Sequence, residues 1–527
     1  MTVENNKNKL KSHSRRNFLK FGGAAATVGT IGAVCGTGYV QGQDPDANVG
    51  YGRTEAGADQ FFDREPFRVD VAPTLIREGN LERPEWGDFL FNRHISLSKS
   101  IKKGYVPDDF TNIPDPRVKS YYQKHPERWP DMKEAFIKSS ERLSNLDQQR
   151  NQFAISWAFT AAQKIANAGL TKKHLSTMTA REVFDKPVPS TFPIPPVGHP
   201  DLADRALIPI DRDPMPFKSS KHAADLIKEI SHKFGASFVG ITKVHPEWVF
   251  KGMMRGMDSW GDEIPKHWKN MIIVGVPMNW DSTYASVGYS TSAEAYHKLR
   301  MISGKMQAFL GQLGYAGRVQ VPSTDYETIL PPHGIAAGLG EATRNGIMMC
   351  PETGANIRIA GIITDLDMEL DKPIDLNMKE FCVNCKICAD ACPSGSISKA
   401  DQPDVVVRGY RKYNFNQDSC WKFWNTAQSE GGRGCRVCIA VCPYTRKNNW
   451  IHAAIKEIDP RDPTHITQHA LLAMQHNFFY YPDPQAFHPK WNGGKDATYH
   501  LPPEWMRSEN YFDIEKTWEY DGNWGGF

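Results

Sequence analysis

Eight of the ten cysteines fall in two bursts: Cys382, Cys385, Cys388 and Cys392 before Pro393, then Cys420, Cys435, Cys438 and Cys442 before Pro443. Thiolates spaced C-x2-C-x2-C-x3-C-P hold [4Fe-4S] clusters, three on one cluster and the fourth reaching to the other. This pattern assigns Cys382, Cys385, Cys388 and Cys442 to one cluster, and Cys392, Cys420, Cys435 and Cys438 to its neighbour. The second burst departs from the simple run, because fourteen residues carrying Trp421 and Trp424 separate Cys420 from Cys435. Structural zinc takes tetrahedral sets of paired thiolates, which a third cysteine three positions after the second does not suit. Disulfides throughout so short a segment would be strained. The implied chemistry is electron transfer through the protein.

The other end of the chain predicts where that chemistry takes place. Ser14-Arg15-Arg16-Asn17-Phe18-Leu19-Lys20 precedes a Gly- and Ala-rich, uncharged stretch from Phe21 to about Val40. A twin arginine before a mildly apolar run is an export leader. Such leaders carry proteins that fold and load their cofactors before translocation, in keeping with cluster assembly in the cytoplasm. Gly and Ala insert poorly into bilayers, and the run barely reaches the ~20 residues a span requires. Cys35 follows Val34, a poor context for lipidation, and reads as an incidental small residue.

The remaining residues must build what positions these groups. A chain of 527 residues that is 40% hydrophobic and 11% aromatic can form two or three domains with substantial cores. The net charge of +3 owes much to the leader (Lys7, Lys9, Lys11, Arg15, Arg16, Lys20), which excludes a nucleic-acid footprint. A helical segment is expected from about Pro130 to Asn167. Prolines crowd Lys186 to Pro216, which predicts an extended connector. Beyond it the periodicity predicts a helix over Lys221–Phe234 and a strand over Ser237–Val244, then a second strand over Met271–Met278. A helix with a capping box at Thr291 and Glu294 should end at Gly314. Strands follow near Arg318–Val321 and Ile357–Thr364, which makes an α/β domain. No P-loop, dinucleotide fingerprint or paired-histidine metal site occurs; His222, His232, His297 and His333 are scattered. The Gly-rich stretch Gly334–Gly346 suits either close approach to a flat ligand or a tight packing turn.

An export leader, an α/β domain with LGYAGRVQVPS, GIAAGLGEATRNG and RIAGIITDLDMEL, and two ferredoxin-type motifs, in that order, resemble the reductive dehalogenases of organohalide-respiring bacteria over nearly the whole chain. The α/β domain and clusters alone are also similar to epoxyqueuosine reductase. The resemblance implies an α/β (α+β) fold, with a nitroreductase-like cobalamin-binding domain beside a ferredoxin-like domain holding two [4Fe-4S] clusters. It divides the chain into a leader (1–43), an N-terminal region with connector (44–210), the cobalamin domain (211–370), the cluster domain (371–450) and an aromatic C-terminal wrap (451–527). Gly314, Tyr315, Gly338 to Gly340, Arg358 and Asp365 match the family pattern most closely.

The implied activity removes halide from an organohalide, with electrons passing through the clusters to a cobalamin. Tyr296 would donate a proton to carbon, with Arg358 stabilising the phenolate. A phenol, ordinarily near pKa 10, is a poor acid without such help. Thr324, or Asp325, would take a third polar role, and Gly338 and Gly340 would approach the cofactor. The cobalamin motif Asp-x-His-x-x-Gly is absent, so the corrinoid would lack a protein imidazole ligand. The implied partners are a small integral-membrane anchor subunit and an electron donor from the respiratory chain, at the outer face of the cytoplasmic membrane. The residues themselves leave alternatives open. Tyr296 lies near an apolar stripe and would also suit the core, with Tyr284 and Tyr289 as other candidates, while Arg358 would also suit an ion pair with Asp365 or Asp367.

Overall fold

The structure, a computed structural model, describes residues 63–101, 107–144, 214–251, 264–284, 289–321, 327–426, 435–445, 455, 457–478 and 510–513. The export leader, Cys35, Thr324, Asp325, most of the proline-rich connector and much of the C-terminal wrap lie outside the described residues.

The N-terminal part runs β1 (Ile76–Arg77), α1 (Leu90–Ile101), α2 (Pro116–Lys124) and α3 (Trp129–Ser144). Helix α2 starts where the Asp115 side chain accepts a hydrogen bond from the Arg117 amide, with Pro116 in the first turn. The expected helix from about Pro130 to Asn167 is present as α3 as far as Ser144, and its remainder lies outside the described residues. These helices enclose a core of Trp86, Leu97, Val118, Tyr122, Met132 and Phe136. Trp421, from the insert beside the second cysteine burst, completes it.

The α/β part continues with α4 (Ser220–Lys233), β2 (Phe238–Lys243), β3 (Asn270–Pro277), α5 (Trp280–Tyr284), α6 (Tyr289–Gln312), β4 (Arg318–Gln320), α7 (Leu330–Ala336), β5 (Glu341–Ala342), β6 (Met348–Met349) and β7 (Ile357–Thr364). Its sheet has the order β2-β3-β7-β4, and every pairing is antiparallel. The architecture is thus of the α+β kind. All eight residues of β3 are buried, as expected of a central strand covered on both faces. Alternation along it divides the core. Ile272, Val274 and Val276 join Ala360 and Ile362 against α4 and α6, whereas Met271 and Ile273 join Ile359 and Ile363 against α7.

Helix α6 begins at Tyr289, ahead of the expected capping box. Thr291 thus sits inside its first turn, and its hydroxyl is buried without a partner among the described residues. At the other end Gly314 adopts a φ of 84°, the left-handed stop that glycine permits.

The cysteines ride on α8 (Met378–Cys385), α9 (Ile387–Asp390), α10 (Gln417–Thr426) and α11 (Val437–Ala440), with the hairpin β8 (Val405–Val407) and β9 (Tyr410–Lys412) between. Strand β9 also pairs with β1, so the N-terminal part is stitched to the cluster-bearing part. Helix α12 (Ile466–Phe478) closes the described elements. Among the described residues no helix is long and apolar enough to cross a membrane.

Candidate functional site

Two short helices and a reversal bring the first cysteines together. Helix α8 carries Cys382 and Cys385 and ends at Lys386, whose φ of 50° is left-handed. That reversal starts α9 and turns Cys388 back toward the other two. Burial pushes the Cys385 and Cys388 thiols well above their ordinary range, and Cys442 and Cys382 add to the effect on both. Cys420 is raised by burial and by Cys435, Cys438 and Cys392. Cys385 and Cys388 thus neighbour Cys382 and Cys442, and Cys420 neighbours Cys392, Cys435 and Cys438. Cys438 also feels Cys442, so the sets adjoin. Burial that disfavours free thiolates is offset when metal binds them.

None of the nine described cysteines forms a disulfide. No described set of three or more His, Cys, Asp or Glu residues closes tightly enough around one point to hold a single metal ion. Cys382, Cys385, Cys388 and Cys442 line one cavity, partly open to solvent and walled also by Arg344, Phe381 and Tyr444. The chemistry of this donor set fits an iron-sulfur cluster.

The second set depends on the N-terminal helices. Arg93 and Asp418 have fully buried side chains and form an ion pair, Nη2 lying 3.0 Å from each carboxylate oxygen. Tyr122 donates to Asp418 at 2.9 Å, and the Arg93 guanidinium stacks 3.7 Å above the Tyr121 ring. Asp418 lies in the first turn of α10, two residues before Cys420. The unusual spacing after Cys420 thus reflects a ligand-bearing helix packed into a separate helical core.

Between this set and α6 lies a cationic array. Strand alternation points Arg358 to the same face of the sheet as Ala360 and Ile362, toward α6. Its guanidinium carbon is 5.7 Å from the centre of the half-buried Tyr296 ring. Ser292, one turn before Tyr296, accepts from Arg358 Nη2 at 3.2 Å and from Arg436 Nη2 at 2.6 Å. Arg436 is buried and sits next to Cys435. Arg358 donates otherwise to the Ile357 carbonyl, and its Nε has no partner among the described residues. No described carboxylate pairs with Arg358. Asp365, seven residues along an extended chain and so about 23 Å away, instead accepts from the Ala316 amide. The two arginines converge as a site for an anion, with a phenol beside it.

Gly338 and Gly340 lie in tight packing turns. A Cβ on Gly338 would meet the Arg68 guanidinium at 2.0 Å, and one on Gly340 would meet the Met349 carbonyl at 1.9 Å. Protein atoms therefore account for both glycines. His333 is buried with Nδ1 on the Ile329 carbonyl and Nε2 accepting from the His245 amide. His232 meets the Ala236 carbonyl, and His222 meets Ser219. Thr291 Oγ1, Ser303 Oγ and Arg358 Nε are buried polar atoms with no partner among the described residues.

Sequence reasoning missed Arg436, Ser292, Arg344 and the Arg93–Asp418 pair. A cation inside a cysteine motif was a signal for Arg436. None existed for Arg93, whose partner is 325 residues away.

A 4Fe-4S dicluster domain matches residues 381–445. The chain is 26% identical over 491 residues to the tetrachloroethene reductive dehalogenase of Sulfurospirillum multivorans, covering 85% of this chain and 88% of that one. It is 28% identical over 179 residues to an epoxyqueuosine reductase of Cellulophaga algicola, covering 32% of this chain and 53% of that one. Among solved structures, the catabolic reductive dehalogenase NpRdhA aligns with a TM-score of 0.53 and 20% identity, over 84% of this chain and 53% of that one. The chain thus spans about half the length of that solved relative, with the same fold. Along most of its sequence, in its fold and in its dicluster cysteines, the chain is similar to the reductive dehalogenases.

Proposed function

We propose that the chain catalyses reductive removal of halide from a small organohalide, using two [4Fe-4S] clusters and a cobalamin. The observation that carries this reading is the run from Cys435 and Cys438 through Arg436 and Ser292 to Arg358 and Tyr296, which joins an electron-carrying centre to an anion site and a proton source. Cys382, Cys385, Cys388 and Cys442 hold one cluster, and Cys392, Cys420, Cys435 and Cys438 hold the other. A corrinoid, when bound, would supply a low-valent metal able to take halogen from carbon. The chain's own groups do the rest. Arg358 and Arg436 hold negative charge, whether halide or phenolate. The Tyr296 hydroxyl delivers a proton to the carbon that loses halogen. The hydrophobic residues around Tyr296 exclude water from that transfer.

The twin-arginine leader supports export, and a respiratory role follows from it: the enzyme sits on the outer face of the cytoplasmic membrane, held by a small membrane anchor subunit and supplied by a respiratory electron donor. A tRNA-modifying role like that of epoxyqueuosine reductase fits less well, since the near-neutral charge offers no RNA-binding face. Anaerobically reconstituted enzyme given a reduced viologen dye should release halide from a panel of chlorinated ethenes and aromatics. Absence of release from every member, with both metals bound, would overturn the assignment.

A further inference from the structure

Arg344 stands in the turn between β5 and β6, 1% exposed. Its guanidinium makes four hydrogen bonds, and every one ends on a neutral carbonyl. Nε and Nη2 donate to the Cys382 carbonyl at 3.1 and 2.7 Å, while Nη1 donates to those of Ser398 and Ala400 at 2.9 and 2.7 Å. The Tyr413 ring stacks 4.0 Å away. Among the described residues no carboxylate forms an ion pair with it.

The exposed Asp401 carboxylate feels the Arg344 charge without pairing with it, and a buried cation without a close counter-charge is costly, so an anionic group facing it would offset that cost. Arg344 lines the same cavity as Cys382, Cys385, Cys388 and Cys442. A cubane held by four thiolates is net negative and gains a further negative charge on reduction. The adjacent Asn345 donates to the Cys438 carbonyl at 3.3 Å. One turn therefore reaches a backbone carbonyl in each cysteine motif. Gly346, with a φ of 74°, closes that turn. The end of the Gly-rich stretch thus acquires a role that packing alone does not explain.

We propose that Arg344 is a positioning residue that selectively raises the reduction potential of the cluster on Cys382, Cys385, Cys388 and Cys442. Net charge and hydrogen bonding near the sulfurs are the levers that set such potentials. Lys386 also lines the cavity, and its ammonium is paired with the exposed Asp401. The inference rests on the two-cluster reading, which iron analysis of the unaltered enzyme tests separately. A parent without about eight iron per chain would defeat that reading before Arg344 is considered.

The test is an EPR-monitored redox titration of reconstituted parent, Arg344→Met and Arg344→Lys holoenzymes. With Met, one cluster should shift negative, so that its oxidised-to-reduced ratio at the parental midpoint rises about tenfold, or 59 mV for a one-electron couple. The other cluster should stay put. Lys keeps the charge and should restore most of the shift. Parental potentials in the Met variant, equal shifts of both clusters, or a Lys shift as large as the Met shift would overturn the proposal. If the Met variant loses iron, the Lys variant decides: full iron with a near-parental potential supports the charge role, and iron loss there too contradicts it.

Discussion

Tyr296→Phe is expected to lower halide release from a reduced donor by about 10²- to 10⁴-fold, the usual contribution of a positioned proton donor, with iron and corrinoid content unchanged. The substitution removes one hydroxyl and keeps the ring. That ring packs against the core shared by α4, α6 and the sheet, so the fold should tolerate the change. The cationic side of the site also survives, because Ser292, Arg358 and Arg436 are bonded to one another and not to the phenol. A loss confined to turnover would identify the missing group as a proton. Turnover equal to the parent's would remove Tyr296 from this role and leave Arg358 and Arg436 as an anion site alone.

Asp418→Ala should be the most destabilising single change in the cluster-bearing part. It strands the Arg93 guanidinium in a fully buried position and leaves the Tyr122 hydroxyl without its acceptor. Breaking one partner of a buried pair costs about 3–5 kcal/mol. The damage falls where α10 docks onto the N-terminal helices, two residues from Cys420. Denaturant unfolding should show the loss, and iron analysis should show the second cluster depleted before the first. Asp418→Asn, which keeps the shape and one acceptor oxygen, should be milder. A stable Ala variant with full iron would mean that Cys420 is held by packing around Trp421 and not by the ion pair.

Much of this was legible in the residues themselves. The strand Ile357–Thr364 is bounded as its run of apolar residues, interrupted by Arg358, predicts, because a central strand covered on both faces is apolar along most of its length. The cysteine sets were readable from spacing, since ligation geometry acts locally. Tyr296 and Arg358 could be named but not joined. Their proximity depends on β7 lying beneath α6, a tertiary fact that no periodicity encodes. The N-terminal end of α6 was misplaced, because a Thr-x-x-Glu pattern satisfies capping chemistry equally well within a helix that begins earlier. Gly338 and Gly340 fit a ligand-facing turn as well as a packing turn until Arg68 and Met349, distant in sequence, fill the space. The contribution of the N-terminal helices to Cys420 was invisible for the same reason.

The most direct test of the account is metal analysis of anaerobically reconstituted enzyme, supported by its visible spectrum. About eight iron and one cobalt per chain, with the absorption of both a corrinoid and iron-sulfur clusters, is the predicted result. Full iron with no cobalt would contradict it, leaving an electron carrier whose arginine-lined site beside Tyr296 holds no corrin.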